Sequence, residues 1–589
     1  MKYSRISAIL AVCMLILLLT SSVNVFAESE ANGLAWWQKI NAYEVYVNSF
    51  QDTDGNGYGD INGIAQRLDH LQSLGVGALW LTPVFVSPMA DNGYDVADYY
   101  TINPLYGSNA DMDALIEAAK DKGIRIVMDL VYNHTSDQHE WFLESSKSRD
   151  NPYSDWYIWR DAKPDGSEPN NWRGIFGGSA WTWCEARQQY YLHTFAAAQP
   201  DLNWENPDVR QALYDIANYW IDKGVGGFRM DAIPYIKKPA DFSDGAPDGP
   251  DGMVSIHNMT ANTDGILDFL HEFKRNVQDG TDIFTVGEAN GVHAEDLPDW
   301  VGRNGVFDMI FSFDHLQGGD SWCEVEPRAL TDIKQALSDN ETVTAENGWY
   351  PIFFENHDQP RSIDAYFPED ADRTLAGRAM GTVLLTLRGT PFIYEGEELG
   401  YVNVAWPSID DYNDLSSKNQ YETALSEGYT EAEAMEAVHR FSRDNARTPM
   451  QWDDEANAGF TTGTPWLPVH DDYAEQNAED EAADAASVLE WYQTLVDFRQ
   501  DNEVLIDGDY AEVAHSSEQI YAFTRENADE KVLVAVNFTG ETVPFDLSEA
   551  GIEDAQSAQV LLSSYAGIDA TDARADNLRP YEAIVVKVR

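Results

Sequence analysis

The sequence predicts an α/β protein: a (β/α)8 TIM barrel with a subdomain inserted after strand 3 and an antiparallel β-sandwich at the C-terminus. Three observations lead there. Short apolar runs alternate with helical patterns, which means parallel pairing. The runs number eight, the strand count of this barrel. From about Gly508 the pattern turns β-rich with turns and without helices, as in "EQIYAFTRE", "KVLVAVNFTG" and "AIVVKV".

The eight runs, in order, are "AYEVYVNSF", "VGALWLTP", "IRIVMDLVYNH", "VGGFRMDAI", "IFTVGEAN", "MIFSF", "YPIFFENHD" and "TPFIYEGEE". Helical patterns such as "IAQRLDHLQSLG", "DMDALIEAAKDKG", "VRQALYDIANYWIDKG" and "ILDFLHEFKRNV" separate most of them. These units place the barrel in residues 36–134 and 204–505. Residues 135–203 do not fit the repeat and are rich in Trp, Gly and Asn, so they read as the inserted subdomain. Residues 400–485, after strand 8, form a second insertion with a helical hairpin pattern around "YTEAEAMEAVHRF". Residues 506–589 make the sandwich. Residues 1–27 have the form of a secretory signal: Lys2 and Arg5, then an apolar core too short to span a bilayer comfortably, then "VFA" before Glu28. A secreted, extracellular protein is expected from it.

Composition excludes several partners. Thirty-eight Lys and Arg stand against 100 Asp and Glu, a net charge of −62. Nucleic acid needs clustered cations to neutralise phosphates, so it is excluded. An anionic membrane surface is disfavoured for the same reason, and no run after the leader is long and apolar enough to span a membrane. Beyond the leader there are two cysteines, Cys184 and Cys323, too few for a disulfide framework. A monomer is expected.

Polar residues gather where catalysis sits in such a barrel, at the C-terminal ends of strands. "DLVYNH", "FRMDA", "VGEAN" and "FFENHD" end strands three, four, five and seven. Arg229 and Asp231 share one strand face, because side chains alternate with period two. Three carboxylates stand out: Asp231, Glu288 and Asp358. Cleavage of a glycosidic bond needs two, one to attack or to activate water and one to protonate the leaving oxygen. An arginine beside the nucleophile keeps it ionised.

These four segments resemble the four sequence regions of the α-amylase superfamily, glycoside hydrolase family 13. "DTDGNGYGDINGI", "DNGYDVADY", "YIWRD", "EPNNW", "QPDLNWENP", "GEELG" and "RDNARTPMQW" are similar to the oligo-1,6-glucosidase and α-glucosidase branch. The resemblance covers nearly the whole chain after the leader. It implies a retaining exo-α-glucosidase acting on malto- or isomalto-oligosaccharides, with no organic cofactor. Asp231 would be the nucleophile, Glu288 the acid and base, and Asp358 the stabiliser that holds sugar hydroxyls. His134 and His357 would bind hydroxyls of the released glucose. Asp91 and Arg447 would hold its non-reducing end, Tyr94 would stack on it, and Phe195 and Gln199 would line the pocket.

Linkage is read from Ala232. In this branch the residue after the nucleophile is usually Val in isomaltose-cleaving members and Ala or Thr in maltose-cleaving ones. Ala232 therefore favours α-1,4 over α-1,6, by no more than the ~1–3 kcal/mol a methyl-scale change supplies. Glu397 is placed beside the leaving sugar. Oligo-1,6-glucosidase, glucosyl transfer and sucrose isomerisation are the alternatives. The isomerases carry an "RLDRD" loop where this chain has "HLQGGD". A non-catalytic sugar-binding surface protein is the alternative of another class. Separately, Asp52, Asp54, Asn56, Tyr58 and Asp60 present oxygens with the 1, 3, 5, 7, 9 spacing of a calcium loop, without the Glu at position 12. The branch implies a structural Ca2+ there.

Overall fold

Eight parallel strands form the centre of the computed structural model, which describes residues 33–589 apart from 250, 303, 317–321, 326, 554–557 and 566–574. They are β1 (Asn41–Val45), β2 (Val76–Leu81), β3 (Arg125–Val131), β4 (Gly227–Asp231), β5 (Phe284–Glu288), β6 (Met309–Phe311), β7 (Pro351–Ile352) and β8 (Thr390–Tyr394). Their order is β6-β5-β4-β3-β2-β1-β8-β7, every pair parallel, which is the near-closed barrel the sequence predicts. Each strand is short and almost wholly buried, since helices cover the outside and side chains fill the inside. The leader expected at residues 1–27 lies outside the described residues.

The helices start and stop where their sequences say. In α1 (Asn109–Asp121) Ser108 and Asp111 make a reciprocal capping box. Asn206 caps α2 (Pro207–Lys223), Pro207 fills its first turn, and Gly224 ends it at φ 102°. The insertion after β8 holds the expected hairpin, α3 (Leu415–Glu427) and α4 (Glu431–Phe441). Gly428 is left-handed between them, and Thr430 and Glu433 form a second capping box.

After β3 the chain makes a small three-stranded antiparallel sheet from Trp159–Arg160, Gln189–Leu192 and Trp181–Cys184. Its core, built on Trp172 and Trp181, also takes in Val254 and Ile256 from the segment after β4, so the subdomain draws on residues beyond 203. A buried ion pair ties it to the barrel: Lys238 reaches Asp201 at 2.8 Å and donates to Asn133 Oδ1 at 3.0 Å.

The C-terminal sheet has five antiparallel strands, Asp509–Val513, Ile520–Glu526, Lys531–Asn537, Gln559–Ser563 and Ala583–Lys587. Tyr521, Phe523, Val532 and Val534 face the barrel's core, while Ile520, Ala522, Leu533 and Ala535 face a second cluster under the pair Val543–Pro544 and Asn577–Leu578. That is the period-two alternation of a strand buried on both faces. Among the described residues Cys184 and Cys323 are both free.

Candidate active site

The polar strand ends converge on one cavity of about 300 Å³. Asp231, Glu288 and Asp358 line it, and with them Asp91, Tyr94, His134, Phe195, Gln199 and Ala232. The lining also has apolar members: Phe176 and Ile175 from the inserted segment, Phe313 and Trp322 from the chain after β6, and Phe441 from α4.

Arg229 is the hub. It is 2% exposed and lies beside Asp129 in register on β3. Its Nη1 donates to both Asp129 oxygens at 2.9 Å and to Asp231 Oδ1 at 2.7 Å, and its Nη2 donates to Glu288 Oε2 at 2.8 Å. One guanidinium therefore serves three carboxylates rather than Asp231 alone. Burial pushes Asp231 well above the usual carboxylate range, Arg229 pulls it down, and Glu288 and Asp129 push it up again. Asp129, fully buried, rises to about 6 for the same first reason, against the pull of Arg229. The cluster thus favours keeping a proton. Arg229 lowers Asp231, as expected of it, while burial and the two neighbouring carboxylates work against it.

Chain geometry also presets Glu288. Ala232 takes a left-handed conformation (φ 49°, ψ 34°) directly after β4, unusual for a residue with a Cβ. That turn aims its N–H at Glu288 Oε2, at 3.0 Å. Oε2 then has two donors, from Arg229 and Ala232.

Asp358 stands opposite in character. Arg447 Nη2 donates to its Oδ1 at 2.5 Å and Arg443 Nη1 at 3.3 Å. Burial would raise it, but protonated His357 and the two arginines hold it far below the usual carboxylate range. His357 is itself buried and driven down to about 3. It is neutral at neutral pH, so the arginines do this work there.

Three predicted residues, Arg447, Glu397 and His357, sit elsewhere than expected. Arg447 does not line the cavity; it lies behind Asp358 and donates to the His357 carbonyl at 2.8 Å. The arginine on the wall is Arg443, 3.6 Å from Asp91 and 5.2 Å above the Phe176 ring. Glu397 is 3% exposed and turned away from the cavity, because left-handed Gly396 (φ 86°) folds the chain back on β8. Its carboxylate accepts from the Tyr394 N–H and the Tyr492 hydroxyl. It cannot touch a leaving sugar. His357 stacks on Tyr94 at 5.3 Å and stays behind the wall rather than on it.

The other predicted residues gather as expected in place, though not all in contact. Gln199 Nε2 donates to Asp91 Oδ2 at 3.0 Å. His134, neutral through burial, sits with Nε2 3.0 Å from the Tyr94 carbonyl. Its ring is 5.2 Å from that of Phe195. The sequence reading missed Asp129, Arg443 and Lys238. A lone Asp in the apolar run "IRIVMDLV" was the available signal for the first.

At the loop after β1, oxygens of Asp52, Asp54 and Asp60 lie within 4.8 Å of one another. The loop is also a chain of Asx turns: Asp52 accepts from the N–H groups of Asp54 and Gly55, Asp54 from Asn56, and Asn56 from Tyr58. Asp60 caps the helix Ile61–Gln66. Asp52 stays below the ordinary value despite burial, because Thr461 and the Gly57, Gly55 and Asp54 N–H groups donate to it. Three converging carboxylates, with no Lys or Arg paired to them among the described residues, suit a hard cation with oxygen ligands.

A (β/α)8 barrel whose strand ends bring three carboxylates into one cavity beside a shared arginine has the layout of a glycoside hydrolase. Residues 44–508 match the α-amylase catalytic domain and residues 520–585 the C-terminal domain of the α-amylase SusG. The oligo-1,6-glucosidase of Parageobacillus thermoglucosidasius is 41% identical over 562 residues, 94% of this chain and 99% of that one. The trehalose-6-phosphate hydrolase of Bacillus subtilis is 41% identical over 94% of this chain and 98% of that one. The crystal structure of the trehalulose synthase of Pseudomonas mesoacidophila superposes with a TM-score of 0.87, at 38% identity, over 95% of this chain and 100% of that one. The chain belongs to the α-amylase family, glycoside hydrolase family 13, and is a hydrolase of the α-glucosidase type.

These comparisons correct one expectation. Oligo-1,6-glucosidases and trehalose-6-phosphate hydrolases are typically cytoplasmic enzymes, against the secreted location read from residues 1–27. No described helix is long and apolar enough to cross a membrane.

Proposed function

We propose that the protein is a retaining exo-α-glucosidase that removes terminal glucose from short, uncharged oligosaccharides, acting as a monomer and favouring α-1,4 over α-1,6 bonds. The observation that carries this reading is the shared Arg229. It holds Asp231 and Glu288 at one point of the cavity while the cluster keeps one proton. Asp231 Oδ2 attacks the anomeric carbon as Glu288 Oε1 delivers its proton to the leaving oxygen. Glu288 then takes a proton from water as the glycosyl–Asp231 ester is hydrolysed. Asp358, held ionised by Arg443 and Arg447, accepts hydrogen bonds from sugar hydroxyls and faces the positive charge of the transition state. Asp91 and Arg443 would meet the sugar's non-reducing end and exclude longer chains beyond it.

The lining supports neutral substrates. Among the described residues its only cationic side chain is Arg443, already engaged by Asp414 at 2.7 Å, Asp358 and Asp91. A sugar phosphate would bring further negative charge among four carboxylates without a free cation. Ala232 supports α-1,4 because its short side chain leaves room beside the leaving sugar. The relatives named oligo-1,6-glucosidase support the second reading, α-1,6. We also infer a structural Ca2+ held by Asp52, Asp54, Asn56, Asp60 and the Tyr58 carbonyl, where it would neutralise the loop and take no part in the chemistry.

Glucose release from maltose, isomaltose and trehalose 6-phosphate, measured side by side with Asp231→Ala as control, tests the reading. Faster turnover of maltose, and α-glucose as the first anomer seen by NMR, is the expected result. Preference for isomaltose moves the assignment to an oligo-1,6-glucosidase. Preference for the phosphate overturns it.

A further inference from the structure

We propose that Glu44 is a positioning residue of the catalytic cluster: it holds a proton against Nδ1 of His357, and this directs the Tyr94 hydroxyl onto Asp129 and so steadies Arg229 against Asp231. The proposal rests on the α-glucosidase reading. Glu44 lies on β1 facing the barrel interior, 2% exposed, and no step above uses it.

The chain of contacts is continuous. Glu44 Oε1 is 2.6 Å from His357 Nδ1, His357 Nε2 is 2.7 Å from the Tyr94 hydroxyl, and that hydroxyl is 3.1 Å from Asp129 Oδ2. Asp129 accepts from Arg229, which in turn donates to Asp231. The donors can be counted. Tyr94 has one hydroxyl proton and two acceptors within reach. If Glu44 is ionised and His357 is neutral, Nδ1–H donates to Glu44. Nε2 is then bare and takes the Tyr94 proton, and Asp129 faces an oxygen lone pair at 3.1 Å. If one further proton sits between Glu44 and His357, Nε2–H donates to the Tyr94 oxygen. Tyr94 then donates to Asp129, and all three bonds are made. Only the second arrangement leaves no buried acceptor facing another.

The surroundings favour that proton. The charged or titratable groups near Glu44 are Asp129 on β3, Arg229 on β4, His357 and Asp358 after β7, and Tyr394 on β8. Burial, first, drives Glu44 well above the usual carboxylate range; Arg229 and a hydrogen bond from the His357 backbone oppose this, and Asp129 and Asp358 add to it. A carboxyl raised in this way holds its proton to higher pH than an ordinary one and loses it as pH rises through the raised value. The Tyr94–Asp129 bond is then lost on the alkaline side.

Glu44→Gln keeps the shape and a donor to Nδ1 but has no proton to lose. Glu44→Leu cuts the chain. Both are assayed across the pH range with Tyr94→Phe and the Glu44→Leu/Tyr94→Phe double variant. The His357 tautomer is read by 15N NMR of wild type and Glu44→Gln, a readout that does not depend on turnover. The expected result is Nε2–H in both proteins and an alkaline limb in Glu44→Gln at least about one pH unit higher. Glu44→Leu should lower kcat about 10–100-fold with little change in KM, and the double variant should be no worse than the poorer single one. Nδ1–H in the wild type, or superimposable pH profiles for wild type and Glu44→Gln, overturns the proposal even where glucosidase activity is present. If the wild type releases no glucose, the functional reading fails, and the tautomer still decides the role of Glu44.

Discussion

Asp129→Asn removes one of the three negative charges around Arg229 without changing the side chain's size. Asp129 and Asp231 accept from the same nitrogen of Arg229, at 2.9 and 2.7 Å. Their oxygens are therefore roughly 5 Å apart. At an effective dielectric constant of about 20, two unit charges at that distance repel by about 3 kcal/mol. One pH unit corresponds to about 1.4 kcal/mol, so this repulsion raises the Asp231 pKa by up to about 2 units. Without the Asp129 charge, Asp231 ionises at lower pH. The acid limb of kcat/KM, which falls as the nucleophile takes up a proton, should move to lower pH by about 1–2 units. The plateau should also drop, because oxygens of Asp129 take donors from Arg229, Trp80 and Tyr94, and an amide nitrogen cannot replace every acceptor. A lost buried hydrogen bond of about 1–3 kcal/mol predicts a plateau about 10–100-fold lower. The assay is glucose release between acid and mildly alkaline pH, with circular dichroism to show that the variant is folded. An acid limb that stays put would show that Asp129 and Asp231 are not electrically coupled, and the shared-arginine account of the site would fail.

Asp231→Ala should fold and lose at least about 10³-fold in kcat, since no other group can form the ester; substantial residual turnover would contradict the mechanism. Stability carries its own pH signature. Asp129 binds a proton more tightly folded than unfolded, so its contribution is present at low pH and is lost as pH rises from about 4 to about 6, roughly 3 kcal/mol at most; denaturant midpoints across that window should fall with pH less steeply in Asp129→Asn. Ala232→Gly should relieve a left-handed residue worth about 1 kcal/mol, read as a higher denaturation midpoint, whereas Ala232→Val should destabilise the fold and shift the maltose-to-isomaltose ratio toward isomaltose. Added Ca2+ should raise Tm and a chelator should reverse it, with kcat unchanged; Asp54→Asn should blunt the effect.

The barrel could be read from the sequence because its strands are buried on both sides. Such strands are unbroken apolar runs, and the polar residues that end them mark the catalytic rim. The carboxylates Asp231, Glu288 and Asp358 were visible for that reason. Arg443 and Arg447 were not separable. They lie four residues apart in one motif, and the 3-10 turn Arg443–Asn445 decides which side chain meets the cavity and which passes behind Asp358. Glu397 was misplaced because the consequence of left-handed Gly396 appears only when the chain folds back on β8. Asp129 and Glu44 look like isolated charges in apolar strands. The partners that explain them, Arg229 and His357, lie 100 and 313 residues away.

That spacing has a consequence for how activity is acquired. The cavity wall is drawn from residues 91 to 443, and the hydrogen bond between Glu44 and His357 spans more than half the chain. No contiguous fragment holds the whole wall. Contacts of such long range close late in folding, after local helices and neighbouring strands have formed. Refolding protein should therefore regain helical signal well before it regains turnover, and a nascent chain should remain unable to cleave any glycoside until the segment carrying Arg443 has docked.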